Sequence, residues 1–176
     1  MEVKLEQIQF LKLNYRLRWY KFVAIYQIIE NHQDETGIIY SLTTNDCEKL
    51  TEKLIKKNVS CAFYHGKMKN EDKNRVQKRW KTDKIKVVIA TCAFGMGINK
   101  ENVRYVIHES IPKSFENYYQ EIGRSGRDSK PADCILYYSN GDKMKLFNLT
   151  LGISKSETKT KEIKTDSVLL NATTGK

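Results

Sequence analysis

The sequence predicts an α/β fold, a parallel sheet with helices on both faces. Two observations predict it. Short, continuous apolar runs such as GIIYSL and KVVIAT recur along the chain, and longer stretches with apolar residues at helical spacing separate them. A strand that is apolar throughout is buried on both sides, and that is how a parallel sheet is covered.

The elements follow in order. Trp19 to Glu30 reads as a first helix, behind a lead-in (MEVKLEQIQF) that alternates charged and apolar residues. Gly37 to Leu42 is a buried strand. Thr44 to Lys57 is a helix with Cys47, Leu50, Leu54 and Ile55 on one face, and Thr44 or Asn45 can cap its start. Ser60 to His65 is a second strand. Lys69 to Lys81 is a highly charged helix whose one apolar face is Val76 and Trp80, four apart. Lys86 to Thr91 and Tyr105 to His108 are the third and fourth strands. Ser114 to Ile122 is a helix, with Ser114 as N-cap and Gly123 as its stop. Cys134 to Tyr138 is a fifth strand and Asp142 to Leu149 a closing helix. Residues 1–30 are then a lead-in and first helix, 31–150 the α/β domain, and 151–176, rich in Lys, Ser and Thr, a flexible basic tail. In parallel sheets chemistry gathers beyond the carboxyl ends of the strands, so Thr43, Gly66, Thr91 to Asn99 and Glu109 to Lys113 belong near one rim.

Composition narrows the class. Of 176 residues, 40% are hydrophobic and 30% charged, which suits a folded soluble domain. Lys and Arg number 31 against 21 acids, and the resulting net charge of +10 favours a polyanionic partner, because cations that neutralise phosphates release counterions. Cys47, Cys61, Cys92 and Cys134 form no Cys-x-x-Cys pair and have no His at zinc-ligand spacing, so small buried thiols in a reducing compartment are expected and no metal. There is no signal-peptide core and no apolar run near the roughly 20 residues that span a bilayer, so an intracellular protein off the membrane is expected.

Two stretches carry chemistry. In QEIGRSGRD, Arg124 and Arg127 lie three apart beyond a helix that ends at Gly123, with Gly126 between them. Guanidinium groups are forked donors matched to phosphate oxygens, and an arginine so placed can stabilise charge on a transferring phosphoryl group. In ATCAFGMGINK a strand runs into a loop with Gly95 and Gly97, whose backbone N–H groups can approach a nucleic-acid phosphate, while Thr91 adds a hydroxyl donor.

Gln120, Gly123, Arg124, Gly126 and Arg127 together resemble motif VI of superfamily 2 helicases, and SFENYYQEIGRSGRD resembles the RecQ form of it. ATCAFGMGI is similar to the RecQ motif V, GIIYSLTTNDC to motif IV and AFYHGKM to motif IVa; the likeness runs from Gly37 to Leu149 and, weakly, over Leu11 to Glu30. It implies a RecA-like domain, the second motor domain of an ATP-dependent 3′-to-5′ DNA helicase. It implies that Arg127 is the arginine finger, with Arg124 and Gln120 beside it and with Gly123 and Asn99 also near the nucleotide. Asn99 stands where the family usually has Asp, keeping an acceptor and losing the charge. It implies that Thr43, His65, Thr91, Gly95, Met96 and Lys113 follow the backbone of single-stranded DNA.

ATP and Mg²⁺ would be held mainly by a first RecA-like domain, a partner in cis or in trans. Its phosphate-cradling loop, ending in GK[ST], occurs nowhere in these 176 residues, so the chain alone is expected not to hydrolyse ATP. The expected nucleic acid is single-stranded or unwinding duplex DNA, and the expected compartment is the nucleus in a eukaryote, otherwise the cytoplasm. Two alternatives stand beside this reading. One is an inactive module that binds DNA or a helicase. The other is half of an RNA helicase, although DEAD-box proteins typically begin motif VI with His-Arg where this chain has Gln120 and Glu121.

Overall fold

The computed structural model describes residues 7–12, 18–95 and 98–151. Its compact units are Met1–Asn140 and Gly141–Lys176. The first contains a six-stranded, wholly parallel sheet in the order β1-β6-β5-β2-β4-β3. The strands are β1 (Gln7–Lys12), β2 (Thr36–Tyr40), β3 (Cys61–Tyr64), β4 (Val87–Ala90), β5 (Val103–His108) and β6 (Asp133–Tyr138); the helices between them are α1 (Arg18–Asn31), α2 (Thr44–Ile55), α3 (Asn70–Lys81) and α4 (Phe115–Ile122). A further helix, α5, spans Asn140–Thr150. The tail, residues 152–176, lies outside the described residues, as do residues 1–6 and 13–17.

The continuous apolar runs are explained by cover on both faces. In β2, Ile38 and Tyr40 face one core while Ile39 faces the other, and β4, β5 and β6 alternate in the same way. One core is closed by Trp80 of α3 and by Tyr118 and Ile122 of α4; the other by Ile25 and Ile29 of α1 and by Cys47, Leu50 and Leu54 of α2. Close packing fixes Gly37: a Cβ there would run into the ring of Tyr105 on β5.

Two expectations are corrected. The sheet has a sixth strand, because Gln7–Lys12 pairs in parallel with β6 along its whole length. The strand lies at the edge of the sheet, and alternating charged and apolar residues are compatible with such a strand. The cap of α2 is Thr43, one residue earlier than Thr44 or Asn45. Its backbone is extended (φ −120°, ψ 154°), as a cap requires, whereas Thr44 is already helical. The Ser114 cap is as expected, its hydroxyl accepting from the Asn117 N–H at 3.2 Å. Gly123 ends α4 without a left-handed turn (φ −64°); the left-handed glycine is Gly126 (φ 60°), where a Cβ would stand 2.9 Å from the Lys130 carbonyl.

Candidate nucleotide and nucleic-acid site

Because every strand runs the same way, β2, β3, β4 and β5 deliver their following loops to one carboxyl rim, as the topology of the sequence requires. Thr43, His65, Thr91 and Lys113 lie in those loops. Their side chains differ in availability. The Thr43 hydroxyl accepts from the Asp46 N–H at 3.1 Å and donates to the Asp46 carboxylate at 2.8 Å. His65 is 5% exposed; its ring stacks on Phe63 and its Nε2 lies 2.9 Å from Glu48 Oε1. Thr91 is buried, with its backbone N–H donating to the Tyr64 carbonyl and its own carbonyl accepting from Phe94. Lys113 is exposed. Met96 lies outside the described residues.

The far side of the arginine turn sits at the amino end of β5, where the Gly126 N–H donates to the carbonyl of Val103, about 16 Å from the rim end of that strand, while Arg124 on its near side reaches back to the loop after β4. The turn is pinned from outside by Arg104, whose guanidinium donates to the Asp128 carboxylate and to the Pro131 carbonyl. Burial acts to raise the Asp128 carboxyl, but the hydrogen bonds from Arg104 and the Lys130 N–H outweigh it and hold the group below the usual aspartate value.

The two arginines of the motif part company. Arg127 is exposed and lightly held: Nε donates to the Gly123 carbonyl at 3.1 Å, and Nη1 lies 3.4 Å from the Ile98 carbonyl and 3.3 Å from Asn99 Oδ1. The structure therefore brings Asn99, Gly123 and Arg127 together, as the motif reading had them. Arg124 turns inward. Its guanidinium closes on Gly95, where a Cβ would come within 2.9 Å of Nη2, and its buried Nε has no hydrogen-bond partner among the described residues. Nearby, the Tyr40 hydroxyl donates to the Phe94 carbonyl at 3.0 Å; burial pushes that phenol up, the Glu121 charge adds to the rise, and Arg124 opposes it. Gln120 is exposed on α4.

Sequence reasoning missed a buried link between rim and turn. His108, the last residue of β5 and 1% exposed, places Nε2 2.8 Å from Glu121 Oε2 on α4, between the rings of Tyr40 and Tyr118. A signal for it exists in the sequence. Glu121 sits between Tyr118 and Ile122 on the inward side of an amphipathic helix, where a carboxylate needs a partner. Lys100 was missed as well; it is buried over the Trp80 ring and paired with Asp83 at 2.8 Å.

Burial pushes the Cys47 and Cys61 thiols up to about 12, whereas Cys92, in the loop after β4, is exposed and corrects the expectation that all four thiols are buried. Among the described residues no group of three or more His, Cys, Asp or Glu could hold a metal ion, and no helix is long and apolar enough to cross a membrane.

Comparison with known proteins identifies the family and the fold. A family model described as the helicase conserved C-terminal domain matches residues 20–129. The chain is 54% identical over 119 residues to the ATP-dependent DNA helicase Q-like 4B of Arabidopsis thaliana, covering 68% of this chain and 10% of that protein. It is 47% identical over 120 residues to the ATP-dependent DNA helicase Q1 of Mus musculus, covering 68% of this chain and 18% of that protein. To the ATP-dependent DNA helicase hus2/rqh1 of Schizosaccharomyces pombe it is 42% identical over 144 residues, 80% of this chain and 11% of that protein. The chain thus spans less than a fifth of these relatives. Among solved structures, the E. coli DEAD-box protein SrmB bound to the regulator of ribonuclease activity A has the same fold, with a TM-score of 0.69 at 19% identity over 78% of this chain and 79% of that one. The second domain of the DEAD-box helicase Mss116p bound to an RNA duplex gives a TM-score of 0.66 at 23% identity, over 76% of this chain and 54% of that one.

Proposed function

Since the chain belongs to the family of helicase conserved C-terminal domains, in its RecQ type, we propose that it acts as the second motor domain of an ATP-dependent 3′-to-5′ DNA helicase, in the nucleus where the cell has one. The observation that carries the reading is Arg127: an exposed guanidinium held at 3.1–3.4 Å by three acceptors, on a turn clamped by Arg104 and Asp128. Contacts of that length are readily exchanged for a charge-assisted bond to a phosphate oxygen. Arg127 is then the finger that meets the γ-phosphate, and Gln120 approaches the same nucleotide from α4. The residues present suit a polyphosphate: Arg127 is exposed and held only by uncharged acceptors, so its guanidinium can turn outward. Asn99 supplies an uncharged acceptor to Arg127, so it holds the finger less tightly than Asp would. ATP and Mg²⁺ would be held mainly by a first motor domain, where the metal would supply charge neutralisation.

In this reading single-stranded DNA crosses the carboxyl rim. Lys113 contacts phosphate directly, while Thr43, His65, Thr91 and Gly95 shape the loops that the strand crosses. DNA is favoured over RNA because the relatives at 42–54% identity are named DNA helicases, whereas the DEAD-box likeness is one of fold. The reading is tested by ATPase assays and binding isotherms. The chain alone should bind single-stranded DNA with an affinity that falls as salt rises and should hydrolyse no ATP; joined to a matching first domain it should hydrolyse ATP on addition of DNA. Tighter binding of RNA than of DNA, or DNA-stimulated hydrolysis by the chain alone, would refute it.

A further inference from the structure

The excess positive charge of this chain is concentrated in one place. Residues 67–86 hold nine Lys and Arg against three acids, a surplus of six out of the net +10. The structure shows where the acids go. Asp72 is taken by Arg75, and Asp83 by the buried Lys100. Glu71 sits in the first turn of α3, ten residues and so about 15 Å from Lys81, beyond a Debye length of about 8 Å at physiological salt. At the other end of the helix Lys78, Arg79, Lys81 and Lys84 are all exposed, and no acid or other acceptor among the described residues engages their side chains.

These four cations stand on a fixed backbone. Trp80 between them is 1% exposed and anchored in the core, and Ile85 just beyond is 2% exposed. The turn is closed by backbone bonds from Asp83 to the Trp80 carbonyl and from Lys84 and Ile85 to the Arg79 carbonyl, with Asp83 in the left-handed region (φ 57°). The negative end of a helix dipole favours cations in its last turn, but it does not require Lys84 outside the helix or the withdrawal of Asp83 into a pair with Lys100. The cluster is also not part of the rim. It precedes β4, whereas Thr91 follows it, so the whole of that strand lies between them.

We propose that the carboxyl end of α3, with Lys78, Arg79, Lys81 and Lys84, is a docking surface for the phosphate backbone of duplex DNA, separate from the single-strand rim. A duplex carries about one charge per 1.7 Å of axis, against about 3.4 Å for one strand, so a compact unopposed cluster releases more counterion against it. The backbone beneath the cations is fixed and a duplex is stiff, so docking orders chiefly the four side chains; a single strand would also have to be straightened to follow the same cations. The surface involves neither Arg127 nor hydrolysis, so it stands or falls apart from the motor reading.

The test uses the purified full chain, a blunt-ended duplex of about 20 base pairs and a single strand of the same length, with affinity measured by fluorescence anisotropy across a salt series. Lys78→Gln combined with Lys81→Gln should flatten the duplex salt slope by roughly 2, at about 0.9 for each phosphate no longer neutralised. It should weaken duplex binding about tenfold or more near 0.1 M salt, and leave single-strand affinity within about twofold. Circular dichroism should show the fold and its melting unchanged, since both side chains are exposed. Arg79→Gln with Lys84→Gln provides a second, independent pair. Lys113→Ala provides the converse, weakening the single strand and sparing the duplex. The proposal is overturned if the wild-type chain does not bind the duplex, if neither pair alters its slope, if single strand and duplex weaken alike, or if polyglutamate displaces the duplex at equal charge concentration.

Discussion

At the carboxyl rim, the side chains that the sequence marks for binding are largely engaged: Thr43 caps α2, His65 stacks and pairs under the surface, and Thr91 is buried. At the arginine turn the opposite holds. The frame is fixed by Arg104, Asp128 and Gly126, and the functional candidate it carries, Arg127, is left exposed on long contacts. The difference suggests two ways of making a site. The rim offers a shape whose backbone is held by committed side chains, with Lys113 as an exposed charge upon it. The turn offers one mobile charge on a rigid mount. Substitutions at the rim should therefore act through stability and in small steps, whereas the turn should act through one residue and in a large step.

The largest effect is expected at Arg127. In the chain joined to a first motor domain, Arg127→Ala should lower ATP turnover about a thousandfold or more, the scale of an arginine finger, with single-strand affinity retained. Stopped-flow or steady-state hydrolysis beside anisotropy would separate the two. An unchanged turnover number would remove Arg127 from the finger role and erase the contrast with the rim.

Next comes the bridge between the regions. Glu121→Ala leaves His108, at 1% exposure, without the carboxylate 2.8 Å from its Nε2. Leaving a buried hydrogen-bonding group without its partner costs about 1–3 kcal/mol, enough to move a urea midpoint outside error. Glu121→Gln, which keeps an acceptor, should recover part of that. A midpoint unmoved by Glu121→Ala would mean that the end of β5 and α4 are not coupled through this pair.

Thr43 should give a smaller change. Its hydroxyl caps α2, and Thr43→Ala should cost about 1 kcal/mol while Thr43→Ser costs less. Single-strand affinity should change about twofold at most, because the hydroxyl is already bonded to Asp46. A large drop in affinity at unchanged stability would make Thr43 a direct contact.

Much of this was legible in the sequence, for identifiable reasons. Strands β2, β4, β5 and β6 were visible because burial on both faces makes them continuously apolar, and α4 because Ser114 and Gly123 mark its ends. The edge strand β1 was obscured because an alternating polar pattern reads equally well as surface chain, and its pairing with β6 spans more than a hundred residues. Arg124 and Arg127 were found as a pair by their motif, but their divergence was not legible. It depends on the space left by Gly95 and on the acceptors of Ile98 and Asn99, which belong to another loop. His108 and Glu121 were overlooked although one was inward on a helix and the other closed an apolar strand; only the packing of α4 over β5 joins them.

The smallest expected effect belongs to Lys113, and it bears most directly on what the rim is. If the committed side chains only hold the loops, this exposed lysine is a single phosphate contact among several backbone ones. Lys113→Ala should then flatten the salt dependence of single-strand binding by about 0.7, the contribution of one neutralised phosphate, and weaken affinity severalfold at moderate salt, with no change in melting temperature. A double variant with Thr43→Ala should show additive changes, the first in binding and the second in stability, because the two residues serve separate tasks. Non-additive changes in binding would instead couple the cap of α2 to the phosphate contact. In that case the rim, like the turn, would act through individual side chains rather than through the shape they hold.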